Sequence, residues 1–456
     1  MSKINKKIFR LKRFILASLF IPGFNGLLNG AVINFQGNTL PIIEVIPEKS
    51  TGLDCIYVVN DLTNVEISFE SNVPVTWWRY SNLGGGYAEE INDILHTENN
   101  WILKNPIGSL GYIIESDSGR YCFWLVDYSD YKADISSIYP SDEQDCDITW
   151  LEMTGVSPYI YYYTINGRQE ILSREYNLTY NNLEWDSENN YYATVETTDI
   201  LANITERTPI MPPVYCYTDF TLSSDRFMRE WGYNSNIVSN IFTPVAVTCV
   251  TEVIQENYGD EDVASNQISS GDDGLGGSAP AVINFYAYVS DAVIHNEWQI
   301  ADDIDFENIS YRINNQDFQF TFTEEGTSYV RYIGSNSDGS CESIGDVYTI
   351  NIGASELLVP NIFTPNDDGI NDEWKVSYRS LLDFECWIFD RYGKEIYHFT
   401  DPSLGWDGKR NGKLVKSGVY FYVIQATGSD GKKYKKSGDI NILIPKTGMS
   451  GSTGEE

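Results

Sequence analysis

Residues 386–399 read CWIFDRYGKEIYHF, and this stretch decides the fold of the region around it. Cys386, Trp387, Ile388 and Phe389 form one β-rich run, Arg391-Tyr392-Gly393-Lys394 supplies a glycine-containing turn, and Glu395 to Phe399 returns with polar and apolar positions interleaved. That pattern predicts a β-hairpin. Further on, Asp407-Gly408 and Asn411-Gly412 punctuate the chain before the run Val419 to Ile424. Asp430-Gly431 then turns it back toward Ile440 to Ile444, because glycine accepts the positive φ that tight turns require. A small antiparallel β-sandwich is expected.

Just upstream, residues 359–376 read VPNIFTPNDDGINDEWKV. Together with the hairpin and the later strands, this string resembles the gliding-motility-associated C-terminal domain of Bacteroidota, the type B sorting domain of the type IX secretion system. The resemblance spans residues 356–446. Its motif falls on Pro360, Phe363, Thr364, Pro365, Asn366, Asp368, Gly369, Asn371 and Asp372, then Asp390, Arg391 and Gly393, then Trp406, Asp407, Gly408, Gly418 and Tyr420. It implies an export address, handling by the secretion machinery at the outer membrane, and delivery to the cell surface or medium.

Within that motif, Asn366 to Asp372 clusters side-chain oxygens around a glycine. An Asx-rich turn is one reading. A Ca²⁺ site using Asn366, Asp368, Asn371 and Asp372 is the other, since Ca²⁺ takes six to eight oxygen ligands. The EF-hand template does not fit, because setting Gly369 at its sixth position puts Lys375 where the bidentate Glu belongs. No other cofactor is expected.

Charge marks the same boundary. Residues 356–446 hold 13 Lys and Arg against 13 Asp and Glu, whereas residues 32–355 hold 12 against 50, a net of −38. An acidic surface of this size repels nucleic acid and anionic lipid and offers neither a basic patch. The expected partners are the secretion machinery and an unidentified protein or glycan ligand.

At the other end, Lys3, Lys6, Lys7, Arg10, Lys12 and Arg13 precede the apolar run Phe14 to Ile21. A basic segment followed by a short apolar one is laid out as a secretory signal peptide, expected over residues 1–31. The run is too short for a spanning helix, and no other run is long and apolar enough to be transmembrane.

Between these ends, 32 tyrosines with frequent Thr, Val and Ile argue for an all-β chain of tandem sandwiches. The first is expected over residues 32–131. Its order Cys55, Trp77-Trp78, Cys122 resembles an immunoglobulin-like sandwich and implies a Cys55–Cys122 bridge between sheets. A second sandwich is expected over 132–256, with a hairpin turn at Asn166-Gly167 and a helical turn at Asp225 to Trp231. Residues 257–280 are rich in Asp, Ser, Asn and Gly and read as a linker or long loop. The third unit, 281–354, resembles a PKD-like domain through Glu297-Trp298-Gln299-Ile300 and the stretch Ser335 to Cys341. Residues 447–456 read as a flexible tail.

Seven cysteines leave one odd. Cys146 is paired with Cys216 because both fall in the second unit, leaving Cys249, Cys341 and Cys386 open between further pairing and buried thiols.

The strong catalytic signatures are absent. Histidine occurs only at His96, His295 and His398, and there is no HExxH, GxSxG, GK[ST] or CxxC string. No catalytic residue is assigned. The expected function is a non-catalytic surface protein acting in adhesion or ligand binding. A polysaccharide-active surface enzyme and a structural part of a gliding or filament apparatus are the alternatives.

Overall fold

The computed structural model describes residues 33–37, 40–117, 119–256, 265–268 and 274–444. The expected signal peptide, the tail and much of the expected linker lie outside the described residues. Within them the chain is built of β-strands, with one short α-helix. The all-β expectation holds.

The first unit is a two-sheet sandwich. One sheet has four strands in the order Ile33–Gln36, Glu66–Glu70, Asn100–Lys104, Leu95–Thr97. The other has six: Ile43–Val45, Cys55–Val59, Gly119–Asp127, Leu110–Ser116, Thr76–Tyr80, Glu89–Glu90. Strand Cys55–Val59 is buried at every position, as are residues 122–126 of its neighbour. Continuous burial means that both faces of the sheet are covered. One face closes on the four-stranded sheet around Ile67, Phe69, Trp77 and Phe123. The opposite face carries Ile56, Val58, Cys122, Trp124 and Val126, and packs on Ile160, Leu172, Phe227 and Trp231 from the second unit.

That parity corrects the expected Cys55–Cys122 bridge. The two strands are parallel neighbours in one sheet, with Cys55 opposite Phe123. Side chains alternate faces along a strand, so Cys122 points away from the side that Cys55 shares with Phe123. Both thiols are buried and unpaired. Burial pushes the Cys55 thiol up to about 12 and the Cys122 thiol up to about 11.

The second unit packs the sheet Asp134–Pro140, Thr149–Val156, Arg207–Ile210 on the sheet Tyr191–Leu201, Tyr176–Asp186, Thr221–Ser223, Asn236–Val238. Ile138, Leu151, Leu178, Phe220 and Leu222 fill the space between. Two additions face the first unit. One is the hairpin Ile160–Tyr163 with Gln169–Leu172, turned at Gly167 with φ 80°. The other is the helix Arg226–Glu230, whose N-cap Asp225 accepts a hydrogen bond from the Met228 N–H.

At this seam lies Arg174, with no exposed side-chain surface. Its Nε donates to Asp225 Oδ2 at 2.8 Å, Nη2 donates to the Tyr128 hydroxyl at 2.9 Å, and Nη1 donates to the carbonyls of Tyr131 and Pro158. Tyr128 in turn donates to Asp225 Oδ2 at 2.9 Å. A buried charge is tolerated when it is paired and its remaining donors are satisfied, as here.

The third unit begins earlier than its sequence suggests. Strand Cys249–Gln255, expected in the second unit, pairs along its length with Ala281–Val289, and Val253 packs against the third core. Within the expected linker, Leu275–Gly277 pairs in parallel with Tyr348–Ile352. The larger sheet continues through Gly326–Ser335, His295–Ala301 and Ile309–Ile313. Trp298 sits fully buried at its centre and donates its Nε1–H to the Gln316 carbonyl at 2.8 Å.

A disulfide between Cys146 and Cys341 joins the second and third units. The Cys146–Cys216 pairing is therefore corrected. Cys216 is buried, with its Sγ 3.4 Å from the Asn181 carbonyl, whereas Cys146 lies in an exposed turn against the Ser340 turn of the next sandwich. Asn336 Nδ2 donates across the same joint to the Val245 carbonyl at 3.3 Å. Pairing within a unit was the wrong premise, because Cys146 stands at the end of its sandwich.

The last unit, residues 356–442, is a small sandwich. Its five-stranded sheet runs Ile362–Phe363, Lys433–Ile442, Gly418–Gly428, Leu381–Phe389, Glu395–Phe399. The expected hairpin between the last two strands is present, with Cys386 opposite Phe399. A second layer is formed by Glu356–Leu358 with Ser377–Arg379, and by Lys409–Arg410 with Lys413–Leu414.

Candidate functional site

The motif residues of the last unit converge on one architectural task. Trp374 and Trp406 are both fully buried and exchange backbone hydrogen bonds, Trp374 N–H to the Trp406 carbonyl at 2.9 Å and the reverse at 3.0 Å. The Trp374 Nε1–H reaches the Pro360 carbonyl and the Trp406 Nε1–H reaches the Lys409 carbonyl. Phe363 and Tyr420 pack on the two sides of Trp406, with centroids 5.6 and 5.4 Å away. Gly408, at φ 72°, lies under Pro365, where an added Cβ would stand 3.1 Å from the proline Cγ.

The acidic motif residues hold turns. Asp390 accepts from the N–H groups of Tyr392 and Lys394, and these bonds, that of Lys394 first, hold its carboxyl below the usual range. Gly393 completes that turn at φ 76°. Asp407 accepts from the Lys409 N–H at 2.9 Å. Arg391 lies over the Tyr392 ring, and Tyr420 donates its hydroxyl to the Lys416 carbonyl, next to Gly418 at the strand's start.

The Asn366–Asp372 loop is organised from its last residue. Asp372 Oδ1 accepts from the N–H groups of Asn366 and Asp367, and Oδ2 accepts from Gly369 N–H at 2.7 Å. Desolvation works to raise its carboxyl, but the backbone donors prevail and hold it low. Asp368 accepts from the Ile370 N–H and from the Asn366 side-chain amide, while the Asn371 carbonyl receives the Thr364 N–H. Asp367, Gly369 and Asn371 adopt positive φ of 60°, 82° and 52°. Of the side-chain oxygens proposed as Ca²⁺ ligands at Asn366, Asp368, Asn371 and Asp372, both of Asp372 and Oδ1 of Asp368 are thus occupied by backbone donors, and Oδ2 of Asp368 by the Asn366 amide. Among the described residues no group of three or more His, Cys, Asp or Glu side chains is poised around a metal.

Two contacts of this unit carry no sequence signal. Ser380 is fully buried; its Oγ donates to the Gly353 carbonyl at 2.6 Å and accepts from Ala279 N–H, and its own N–H donates to Ser278 Oγ at 2.8 Å. Asn266, in the expected linker, lays its segment along Ser377–Arg379. Its carbonyl accepts the Tyr378 N–H, the Ile268 N–H donates to the Tyr378 carbonyl, and its Nδ2 reaches the carbonyls of Val376 and Pro402 at 2.8 Å. The last unit is therefore held by the 266–268 segment, by Ser278 and Ala279, and by the Glu325 N–H, which donates to the Ser429 carbonyl.

The tryptophans of the first unit lie mostly in its core. Trp77 and Trp124 are buried, and Trp101 is half-buried, stacked on His96 with centroids 4.1 Å apart. No helix among the described residues is long and apolar enough to cross a membrane.

Comparison with known proteins follows this division. Residues 137–239 match the fibronectin type III domain family, and residues 357–442 match the CHU_C Type IX secretion signal domain. No curated protein matches the sequence. Among solved structures, three N-terminal domains of the bacteriophage RB49 highly immunogenic outer capsid protein are 12% identical, with 69% of this chain and 100% of that one covered and a TM-score of 0.23. Dimeric latent PorU from Porphyromonas gingivalis is 11% identical, covering 71% of this chain and 35% of that one, with a TM-score of 0.15. A bacterial ice-binding adhesin of 1.5 MDa, described for host cell surface retention, is 9% identical, with 69% and 98% covered and a TM-score of 0.21. Superpositions this poor carry no argument. The family matches do: residues 357–442 are a type IX secretion signal domain, and the chain is a tandem β-sandwich protein that this domain directs to the cell surface or the extracellular space.

Proposed function

We propose that the exported passenger, residues 33–355, works by binding a protein or glycan ligand at or beyond the cell surface, as a non-catalytic adhesion or ligand-binding protein. The observation that supports this most is how its sandwiches are joined. The buried Arg174–Asp225 pair of the second unit bonds Tyr128 and the Tyr131 carbonyl of the first, and the Cys146–Cys341 bridge ties the second to the third. Such joints hold successive modules in a fixed relation, which suits presenting a surface. The sandwich cores are filled by Trp77, Phe123 and Trp298, with the ring edges and faces in contact. The outer-membrane components of the secretion system are the proposed carriers of the chain.

A glycan and peptide panel tests this reading on the purified full chain. Saturable binding without turnover is expected. Turnover of a polysaccharide would favour a surface enzyme instead, and concentration-dependent light scattering by the folded chain would favour a filament component.

A further inference from the structure

Sheets of neighbouring sandwiches expose very different outer faces. In the third unit, the face opposite the core carries Glu297, Gln299, Arg312 and Arg331. Arg331 Nε donates to Gln299 Oε1 at 2.9 Å, and Arg312 pairs with Glu297. It is a polar ladder, with Gln299 itself buried. In the signal domain the corresponding face is apolar at its centre.

Strand Gly418–Gly428 alternates, with Tyr420, Tyr422, Ile424 and Ala426 turned to the core. Val419, Phe421 and Val423 point the other way and remain 47%, 45% and 37% exposed. The adjacent strand sets Phe389 opposite Phe421 and Trp387 opposite Val423, extending the apolar stripe sideways. His398 stacks on Trp387 with centroids 5.3 Å apart and closes the stripe at the sheet edge. Single exposed apolar residues are ordinary, but three exposed and two half-buried apolar side chains side by side at the middle of a sheet face mark a contact surface.

Three parts of the domain are engaged elsewhere. The inner face closes its core, the Tyr378 edge is paired by the 266–268 segment, and Ser380 is held by Ser278 and Gly353. The family match covers only 357–442, so whatever reads the address must find its contacts there. We propose that the outer face centred on Phe421, with Val419, Val423, Trp387 and Phe389, is where a component of the type IX secretion machinery docks. The flanking positions on the next strand are Ser437 and Asp439, with Lys435 beyond, so the rim has no single sign. The occupant is accordingly a protein surface with an apolar ridge rather than a charged one, and its binding is insensitive to moderate salt.

This inference rests on the sorting assignment and not on the proposed ligand-binding role. Its test uses the full chain in a type IX-secreting host, reading the ratio of surface and medium to periplasmic protein. Phe421→Thr and Val423→Thr are made separately and together; each places a β-branched residue of high strand propensity at a solvent-facing strand position, so folding is preserved. The double variant should lower the export ratio at least tenfold with an unfolding temperature within a few degrees of the parent. Gly408→Val, which drives a side chain into Pro365, disrupts the domain as a whole and serves as the reference. If Gly408→Val is retained in the periplasm while the double variant is exported normally, the docking face is wrong and the address stands. If Gly408→Val is exported normally, the address itself is wrong. Loss of export that tracks loss of thermal stability in every face variant also overturns the proposal. So does a face buried by a second copy, seen as a dimer that Phe421→Thr dissolves without changing export.

Discussion

The joint between the first two sandwiches and the joint between the third sandwich and the signal domain are built from different chemistry. The first is largely apolar, with Trp124, Phe227 and Trp231 in one cluster, and it encloses an ion pair that water does not reach. The last is a set of hydrogen bonds through Ser278, Ser380, Gly353 and Asn266. Apolar burial and a desolvated charge make parts inseparable, since parting them exposes both. A hydrogen-bonded joint trades its bonds for water at little net cost. The passenger is thus bonded within itself more firmly than it is bonded to its address.

The strongest way to break this contrast is at Asp225. Asp225→Ala leaves the Arg174 guanidinium buried without its partner and removes the cap of the helix Arg226–Glu230, so a loss of about 3–5 kcal/mol is expected. Denaturant unfolding measures it, and a loss below 1 kcal/mol would mean that the seam is wet. Next comes Cys146→Ser. Removing a native bridge between two units should cost about 2–5 kcal/mol, and a non-reduced digest should yield one peptide pair holding Cys146 and Cys341. Peptides linking Cys55 to Cys122 would overturn the sheet register given above.

Smaller effects are expected at the last joint. Ser380→Val leaves the Gly353 carbonyl and the Ala279 N–H short of a partner, for about 1–3 kcal/mol. It should raise protease sensitivity near residues 353–356 while leaving the unfolding of the first two sandwiches unchanged. The signal-domain loop is the mildest case. At Gly369 an added Cβ meets nothing within 4 Å, so Gly369→Val costs only what φ 82° imposes on a β-branched residue, about 1–2 kcal/mol. Asp368→Asn, which keeps the oxygen facing the Ile370 N–H, should leave thermal stability nearly unchanged with or without chelator. A large Ca²⁺-dependent stabilisation that Asp368→Asn abolishes would restore a metal role to this loop.

What could be read in advance follows the same division between local and assembled interactions. The hairpin at Arg391-Tyr392-Gly393-Lys394, the helix at Asp225 and the turn at Gly167 were legible because a turn or a cap is decided by residues a few positions apart. The cysteine pairing was not, because strand parity depends on which neighbour a strand takes, and Cys55 proved to lie beside Phe123. In sequence, strand Cys249–Gln255 reads as part of the second unit for a related reason, since its partner Ala281–Val289 comes after the long loop. Arg174 and Ser380 look like ordinary surface residues in sequence. Only the assembled joints supply the carboxylate, hydroxyls and carbonyls that make their burial tolerable.

Deleting residues 356–446 and fractionating the cells with an antibody against the passenger decides whether the address is a separable unit on a self-sufficient passenger. A folded passenger with its Cys146–Cys341 bridge intact, stranded in the periplasm, is the expected result. The truncated chain at the surface or in the medium at normal levels would contradict it.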